Sequence, residues 1–327
     1  MSATMLDPDT LDPYRLPVGV EPTRYDVRLR PDLDDGSFVG TVRIDLDVAS
    51  ATRSLVLNAA ELEIMSCSID GTDATWELLS ESERLVVTAA AEIAPGSSRL
   101  TIEFVGVLND KLRGFYRSTY TDDDGTEHVI ATTQMQATDC RRAFPCWDEP
   151  AFKAVFAVTL DVADDLTAIS NGPEVGRTNA DGRSIIRFAD TMKMSSYLVA
   201  FVVGRLETTE PVDVDGIPLR IVHVPGKGHL TELGLDVGAF CLRWFQEYYD
   251  IAYPSDKVDL VALPDFAAGA MENLGCITFR ESLLLIDPAT STQFERQMVV
   301  DVVAHELAHM WFGDLVTMRW WNGIWLN

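Results

Sequence analysis

Two histidines four residues apart flank a glutamate in the run His305-Glu306-Leu307-Ala308-His309. On a helix this spacing puts both imidazoles on one face, about one turn apart, where they can ligate a single ion, and zinc is the ion such a pair suits. Glu306 then lies roughly 100° around the helix from His305. From there it reaches a water at the ion without ligating the ion itself, which is the place of a general base. The bland alternative is a pair of core histidines with an incidental glutamate. Chance alone produces this pattern in on the order of one chain in a hundred of this length.

The element that must position these residues opens with Thr292-x-x-Glu295, a capping-box pattern, and is expected to stop near Gly313. Phe294, Met298, Val302, His305 and His309 share one face, while Val299, Val303 and Leu307 make the opposite side apolar too. That pattern predicts a buried helix. Histidines and a glutamate inside it would need partners, because an unpaired buried polar group is costly.

Ahead of this helix the chain divides into two patterns. From Tyr25 to about Leu206 the period is two, as in Tyr25, Val27, Leu29 and in Val42, Ile44, Leu46, Val48, with further strand-like runs at Leu55 to Leu57, Leu85 to Thr88, Leu100 to Phe104, Val155 to Val162, Ile185 to Phe188 and Leu198 to Val203. This half is expected to be an all-β sandwich-like domain. The polar stretch Glu207-Thr208-Thr209-Glu210-Pro211 marks the boundary, giving an N-terminal β domain over 1–207 and a second domain over 208–327. The second mixes a helix over Thr231 to Tyr249, strands near Val258 to Leu263 and Cys276 to Phe279, and the histidine helix. No repeat or low-complexity tract is present.

The run Gly269-Ala270-Met271-Glu272-Asn273, after Leu263-Pro264-Asp265-Phe266-Ala267-Ala268, would by itself pass for an ordinary glycine-containing loop. Together with the H-E-x-x-H run it resembles the G-A-M-E-N signature of the M1 aminopeptidases, the aminopeptidase N family. Tyr14-Arg15-Leu16-Pro17 with Pro22-Thr23-Arg24-Tyr25-Asp26 resembles that family's opening strand, and Thr138 to Pro150 is similar to its puromycin-sensitive branch. The resemblance covers essentially the whole chain.

It implies a zinc-dependent aminopeptidase that removes amino-terminal residues from peptides, with a thermolysin-like (gluzincin) α+β catalytic domain. Glu272 would bind the substrate's α-ammonium group through a charge-assisted bond. The backbone of Gly269 and Ala270 would lie beside the substrate strand, with Met271 and Asn273 completing that pocket. The family's T-Q-x-E element reads Thr133-Gln134-Met135-Gln136 here: Gln134 matches, and Gln136 stands where a glutamate is usual. An amide oxygen still accepts a hydrogen bond from an ammonium but brings no charge. The same substitution resembles the leukotriene A4 hydrolase branch, which adds epoxide hydrolysis, so a bifunctional enzyme of that type is an alternative.

A catalytic zinc takes three protein ligands and leaves one position for water. His305 and His309 supply two. The family's third, a glutamate in the pattern H-E-x-x-H-x18-E, would fall directly after Asn327, so the chain reads as a catalytic domain truncated before its third zinc ligand. A catalytically incomplete peptide- or partner-binding fragment is the second alternative.

The remaining features are weaker. His128, His223 and His229 match no ligand spacing and are expected at the surface or in loops; Asp148 and Glu149 are expected to be structural; Trp311, Trp320, Trp321 and Trp325 are expected in core packing. With 47% hydrophobic and 24% charged residues the chain can build a real core. A net charge of -25, spread over acidic clusters such as Asp7 to Asp12, Asp32 to Asp35 and Asp122 to Asp124, disfavours nucleic acid and anionic membrane as partners. Five cysteines without a C-x-x-C pair fit a reducing compartment. Met1 through Pro13 carries no secretory pattern and no later stretch is long enough to span a bilayer, so a cytoplasmic protein is expected. Oligomeric state is open.

Overall fold

The structure is a computed structural model that describes residue 12 and residues 14–327. Apart from Asp12, the amino-terminal expectations for Met1 to Pro13 lie outside the described residues.

Alternation drives the first half. In strand Val20–Asp32 the side chains of Tyr25, Val27 and Leu29 are buried while Thr23, Arg28 and Arg30 face solvent. Strand Ser37–Val48 repeats the pattern with Phe38, Val42, Ile44, Leu46 and Val48. These two strands pair antiparallel, and the sheet around them runs Glu174–Ala180, Arg183–Phe188, Val155–Ala163, Val20–Asp32, Ser37–Val48, Gly96–Val107, Leu62–Ile69, Thr72–Asp73. Val155–Ala163 joins Val20–Asp32 in parallel and the other neighbours are antiparallel. Glycine at 40 is required here, because a Cβ would enter the ring of Phe104.

A four-stranded sheet ordered Thr167–Ser170, Phe201–Gly204, Glu127–Gln134, Gly114–Thr121 meets the large one through its aromatics. Phe38 lies 5.1 Å from Phe115, which lies 4.8 Å from Phe201, each pair edge to face between ring centroids. A third sheet runs Thr52–Asn58, Arg84–Ile93, Thr75–Leu79. Among the described residues no α-helix precedes Glu232.

The chain leaves the four-stranded sheet at Gly204, and its next strand, Glu207–Thr208, belongs to a fourth sheet. That sheet runs Glu207–Thr208, Ile217–His223, Val258–Leu263, Cys276–Arg280, Ala270–Met271, with Val212–Val214 also on Ile217–His223. Its three central strands are parallel, and all six residues of Val258–Leu263 are buried, as strands covered on both faces require. Helix α1, Glu232–Tyr249, comes close through Gly234 and Gly238, which pack on Ile221, Leu284, Leu219 and Leu260.

Helix α2, Gln293–Ala308, begins with the expected capping box: the Glu295 amide donates to the Thr292 hydroxyl, and the Glu295 carboxylate accepts from the Thr292 amide. Two expectations for it need correction. The helix ends at Ala308, not near Gly313, so His309 is its C-cap. Nor is it buried all round: Val299, Val303, Glu306 and Leu307 face inward, whereas Phe294 is 70% exposed and His305 is exposed as well. Apolar residues on two sides did not mean two covered sides.

Other local expectations are corrected too. Ser196–Leu198 is a 3-10 turn, and the strand expected from Leu198 starts at Phe201. His223 is buried on a strand, with Nδ1 2.8 Å from the Val224 carbonyl, and His128 lies on Glu127–Gln134 facing Asp122 at 2.7 Å. His229 is exposed in a turn, as expected. Trp311 is core, but Trp325 is 79% exposed. Trp321 packs edge to face on Tyr197, and Trp320 lies under the Arg15 guanidinium. Asp148 and Glu149 hold structure: Asp148 accepts from Arg141 and Ser196, and Glu149 from Arg15 and the Leu16 amide. All five cysteines are free and buried. No helix among the described residues is long and apolar enough to cross a membrane.

Candidate active site

The last turn of α2 brings His305 and His309 together, Nε2 to Nε2, at 2.9 Å, with their rings perpendicular. The Nδ1 of His309 lies 2.9 Å from the Phe312 carbonyl, an acceptor, so that nitrogen carries the proton and Nε2 keeps its lone pair. Partial enclosure of its ring, although the residue is largely exposed, and the neighbouring His309 hold His305 below the usual histidine range, against the pull of Glu272. Two imidazole nitrogens converge on one point. This donor set fits a borderline-soft divalent cation such as zinc.

Glu306 is 5% exposed, and one of its carboxylate oxygens has no hydrogen-bond partner. Burial, reinforced by the charge of Glu272, pushes its carboxyl up to about 8. Glu272, also buried, Glu306 and His309 each offer a ligand atom within 4.8 Å of the others. The general-base candidate and the amine-site candidate thus face one centre, although they lie 34 positions apart in the chain, the difference between 306 and 272.

Glu272 is positioned by the edge of the fourth sheet. Among the described residues Ala270–Met271 pairs only with Cys276–Arg280 and ends the sheet, so its outer backbone groups meet no partner strand there. The Arg280 amide donates to the Gly269 carbonyl at 2.9 Å, and the Arg280 side chain donates to the carbonyls of Phe266 and Ala267. Asn273 donates to the Thr278 hydroxyl while its carbonyl oxygen stays unpartnered. The preceding loop is pinned to the first half: Asp265 accepts from Tyr116, Ser118 and Thr119 on Gly114–Thr121.

The first half also supplies a side chain. Gln134, last residue of Glu127–Gln134, points its amide nitrogen at the Met271 sulfur at 3.5 Å and leaves its carbonyl oxygen unpartnered. Gln136 lies half-buried just beyond the end of that strand.

Three residues at this centre had no role in the sequence reading. Asp314 is fully buried with both carboxylate oxygens unpartnered; burial, Glu272 and Glu306 all push it well above the usual carboxylate range, opposed by Lys153. Tyr197 and Asn327 form a hydrogen-bonded chain to Glu272. A charge set in the apolar run Met310-Trp311-Phe312-Gly313 could have flagged Asp314; nothing local flags the other two.

Residues 21–198 match the Peptidase M1 N-terminal domain, and residues 233–327 match the Peptidase family M1 domain. The chain belongs to peptidase family M1. This M1 chain is 46% identical over 321 residues to a puromycin-sensitive aminopeptidase of Caenorhabditis elegans, covering 96% of the chain and 34% of that protein. It is 47% identical over 322 residues to aminopeptidase M1 of Arabidopsis thaliana, covering 96% and 36%, and 42% identical over 318 residues to an alanine/arginine aminopeptidase of Saccharomyces cerevisiae, covering 95% and 37%. The M1 chain therefore spans about a third of the length of these curated relatives. Peptidases of family M1 are in general zinc enzymes. The relatives' names, all aminopeptidases, do not favour a leukotriene A4 hydrolase-like reading.

Proposed function

We propose that this chain carries the amine-recognition and base-bearing part of a zinc aminopeptidase acting on peptides with a free amino terminus. The reading includes two domains, a sandwich-like β domain over 1–207 and the catalytic part of a thermolysin-like α+β domain over 208–327. The change of sheet between Gly204 and Glu207 supports that division. Five buried free thiols support a reducing, cytoplasmic setting.

The observation that carries the function is the convergence of the two Nε2 atoms beside an unpartnered Glu306 oxygen and Glu272. His305 and His309 would hold the ion. Bound there, zinc supplies Lewis acidity to the scissile carbonyl and to the attacking water. Glu306 takes the water's proton and returns it to the leaving amine. Glu272 takes the substrate's ammonium, and the carbonyl oxygens of Gln134 and Gln136 add neutral acceptors. The edge strand at Gly269 and Ala270 receives the peptide backbone, with Met271 and Asn273 shaping the wall.

The test is metal analysis of the full-length protein together with hydrolysis of an aminoacyl anilide and its N-acetyl derivative. Stoichiometric zinc, cleavage of the free-amine substrate alone, and loss of cleavage on chelation are expected. Undiminished cleavage with chelator present would refute the reading.

A further inference from the structure

Glu272 does not hold its orientation alone. Its Oε1 accepts a 2.7 Å hydrogen bond from the side-chain amide of Asn327. The other end of that amide, Oδ1, lies 3.2 Å from the hydroxyl of Tyr197, which also reaches the Gly313 carbonyl at 3.0 Å. Both of these oxygens are acceptors as placed, and the Tyr197 hydroxyl shares its one proton between them. Burial, with Asp314 and Glu272 nearby, holds the Tyr197 phenol above its ordinary value, and it keeps the proton it donates. Turning the Asn327 amide over would set its oxygen against the Glu272 carboxylate, whereas Tyr197 could accept from the N–H and still donate to Gly313. The link to Glu272 therefore fixes which way the amide faces, and Tyr197 holds its far end.

The surroundings fix the relay in place. Tyr197 is 1% exposed and is packed edge to face by Trp321 at 5.4 Å. Gly313 has φ +138°, and a Cβ there would come within 3.0 Å of the Asn327 Oδ1, so glycine keeps the space that the amide occupies.

We propose that Asn327 and Tyr197 are positioning residues for amine recognition: the Asn327 amide holds one oxygen of Glu272 so that the other faces the substrate's ammonium, and Tyr197 anchors the far end of that amide. The inference rests on the reading of Glu272 as the amine site. It also assigns the first half a part in substrate affinity through Tyr197, beyond the direct contribution of Gln134.

The test uses the full-length protein and calorimetric binding of leucinamide and its N-acetyl derivative, with zinc content and steady-state constants measured alongside. Asn327→Ala is expected to weaken leucinamide binding about tenfold, because Glu272 loses its orienting hydrogen bond. Binding of the N-acetyl compound and zinc content should stay as in the wild type, and KM should rise while kcat holds. Tyr197→Phe, which keeps the ring packing, should weaken leucinamide by about threefold; the double variant should be no weaker than Asn327→Ala, since Tyr197 acts through Asn327. Wild-type discrimination retained in Asn327→Ala, or additive losses in the double variant, would overturn the inference and leave the aminopeptidase reading standing. A wild type that binds both compounds equally would overturn both.

Discussion

Two groups of buried carboxylates in the second half are built on opposite principles. Asp259, in the middle of a fully buried strand, accepts two hydrogen bonds from Arg220, at 2.7 and 3.2 Å, and one from Lys257 at 2.8 Å. Burial alone would raise its carboxyl, but the two cations more than reverse this and hold it below the ordinary range. Glu306 and Asp314 are just as enclosed, yet have unpartnered oxygens, and burial together with Glu272 raises both. The fold thus pairs a buried carboxylate within the sheet and leaves carboxyl oxygens unpartnered beside the converging histidines. A buried carboxylate without a partner costs stability, and such a cost is found where a function needs it.

The same chemical change should therefore act with opposite sign in the two groups. The largest effect is expected for Glu306→Gln. Turnover should fall by about a thousandfold, the scale of a lost general base, while metal content is retained. In the metal-free protein the urea midpoint should stay or rise, because the amide keeps the shape and removes a group that must be protonated to be buried. A variant that keeps its turnover, or that unfolds much earlier, would erase the distinction between the two groups.

Asp259→Asn should cost stability instead. It leaves Lys257 and Arg220 without their anion in a site where Lys257 is almost wholly enclosed, a loss of about 3–5 kcal/mol. In the wild type the lowered carboxyl makes the pH dependence specific. Its contribution is present in full above the unfolded value near 3.8 and is lost as pH falls through the still lower folded value. The wild type and the variant should accordingly converge in acid. A difference independent of pH from 7 to 2 would mean that the pair contributes shape and not charge.

How much of this was legible in the sequence depends on how far apart the partners lie along the chain. The capping box at Thr292 and Glu295, the alternation in Val20–Asp32, and the one-turn spacing of His305 and His309 are local, and the structure reproduces them. Strand Glu174–Ala180 was not legible, since it lies at the sheet edge with most of its residues exposed and no alternation to read. The facing of α2 was misread because an apolar residue does not say whether anything covers it; Phe294 and Met298 look like core in the sequence and face outward. The G-A-M-E-N run suggested a role for Glu272 only through resemblance. Its hydrogen bond to Asn327, and the link from there to Tyr197, span 55 and 130 residues, beyond any local pattern.

Asp314 gives the smallest and sharpest form of the contrast. Its carboxyl is raised, so between the unfolded value near 3.8 and the raised folded value the native state binds a proton that the unfolded state has released. Stability contributed by this site therefore declines as pH rises above about 3.8, the reverse of Asp259. Asp314→Asn removes that dependence at nearly constant shape. In the metal-free protein it should raise the unfolding free energy at pH 7 by about 1–3 kcal/mol, the scale of an unsatisfied buried group, and the gain should vanish near pH 4. A destabilised Asp314→Asn protein at pH 7 would show that Lys153, whose ammonium donates to the Asp314 and Leu315 carbonyls, needs the carboxylate charge as well. Asp314 would then belong with Asp259, among the paired charges.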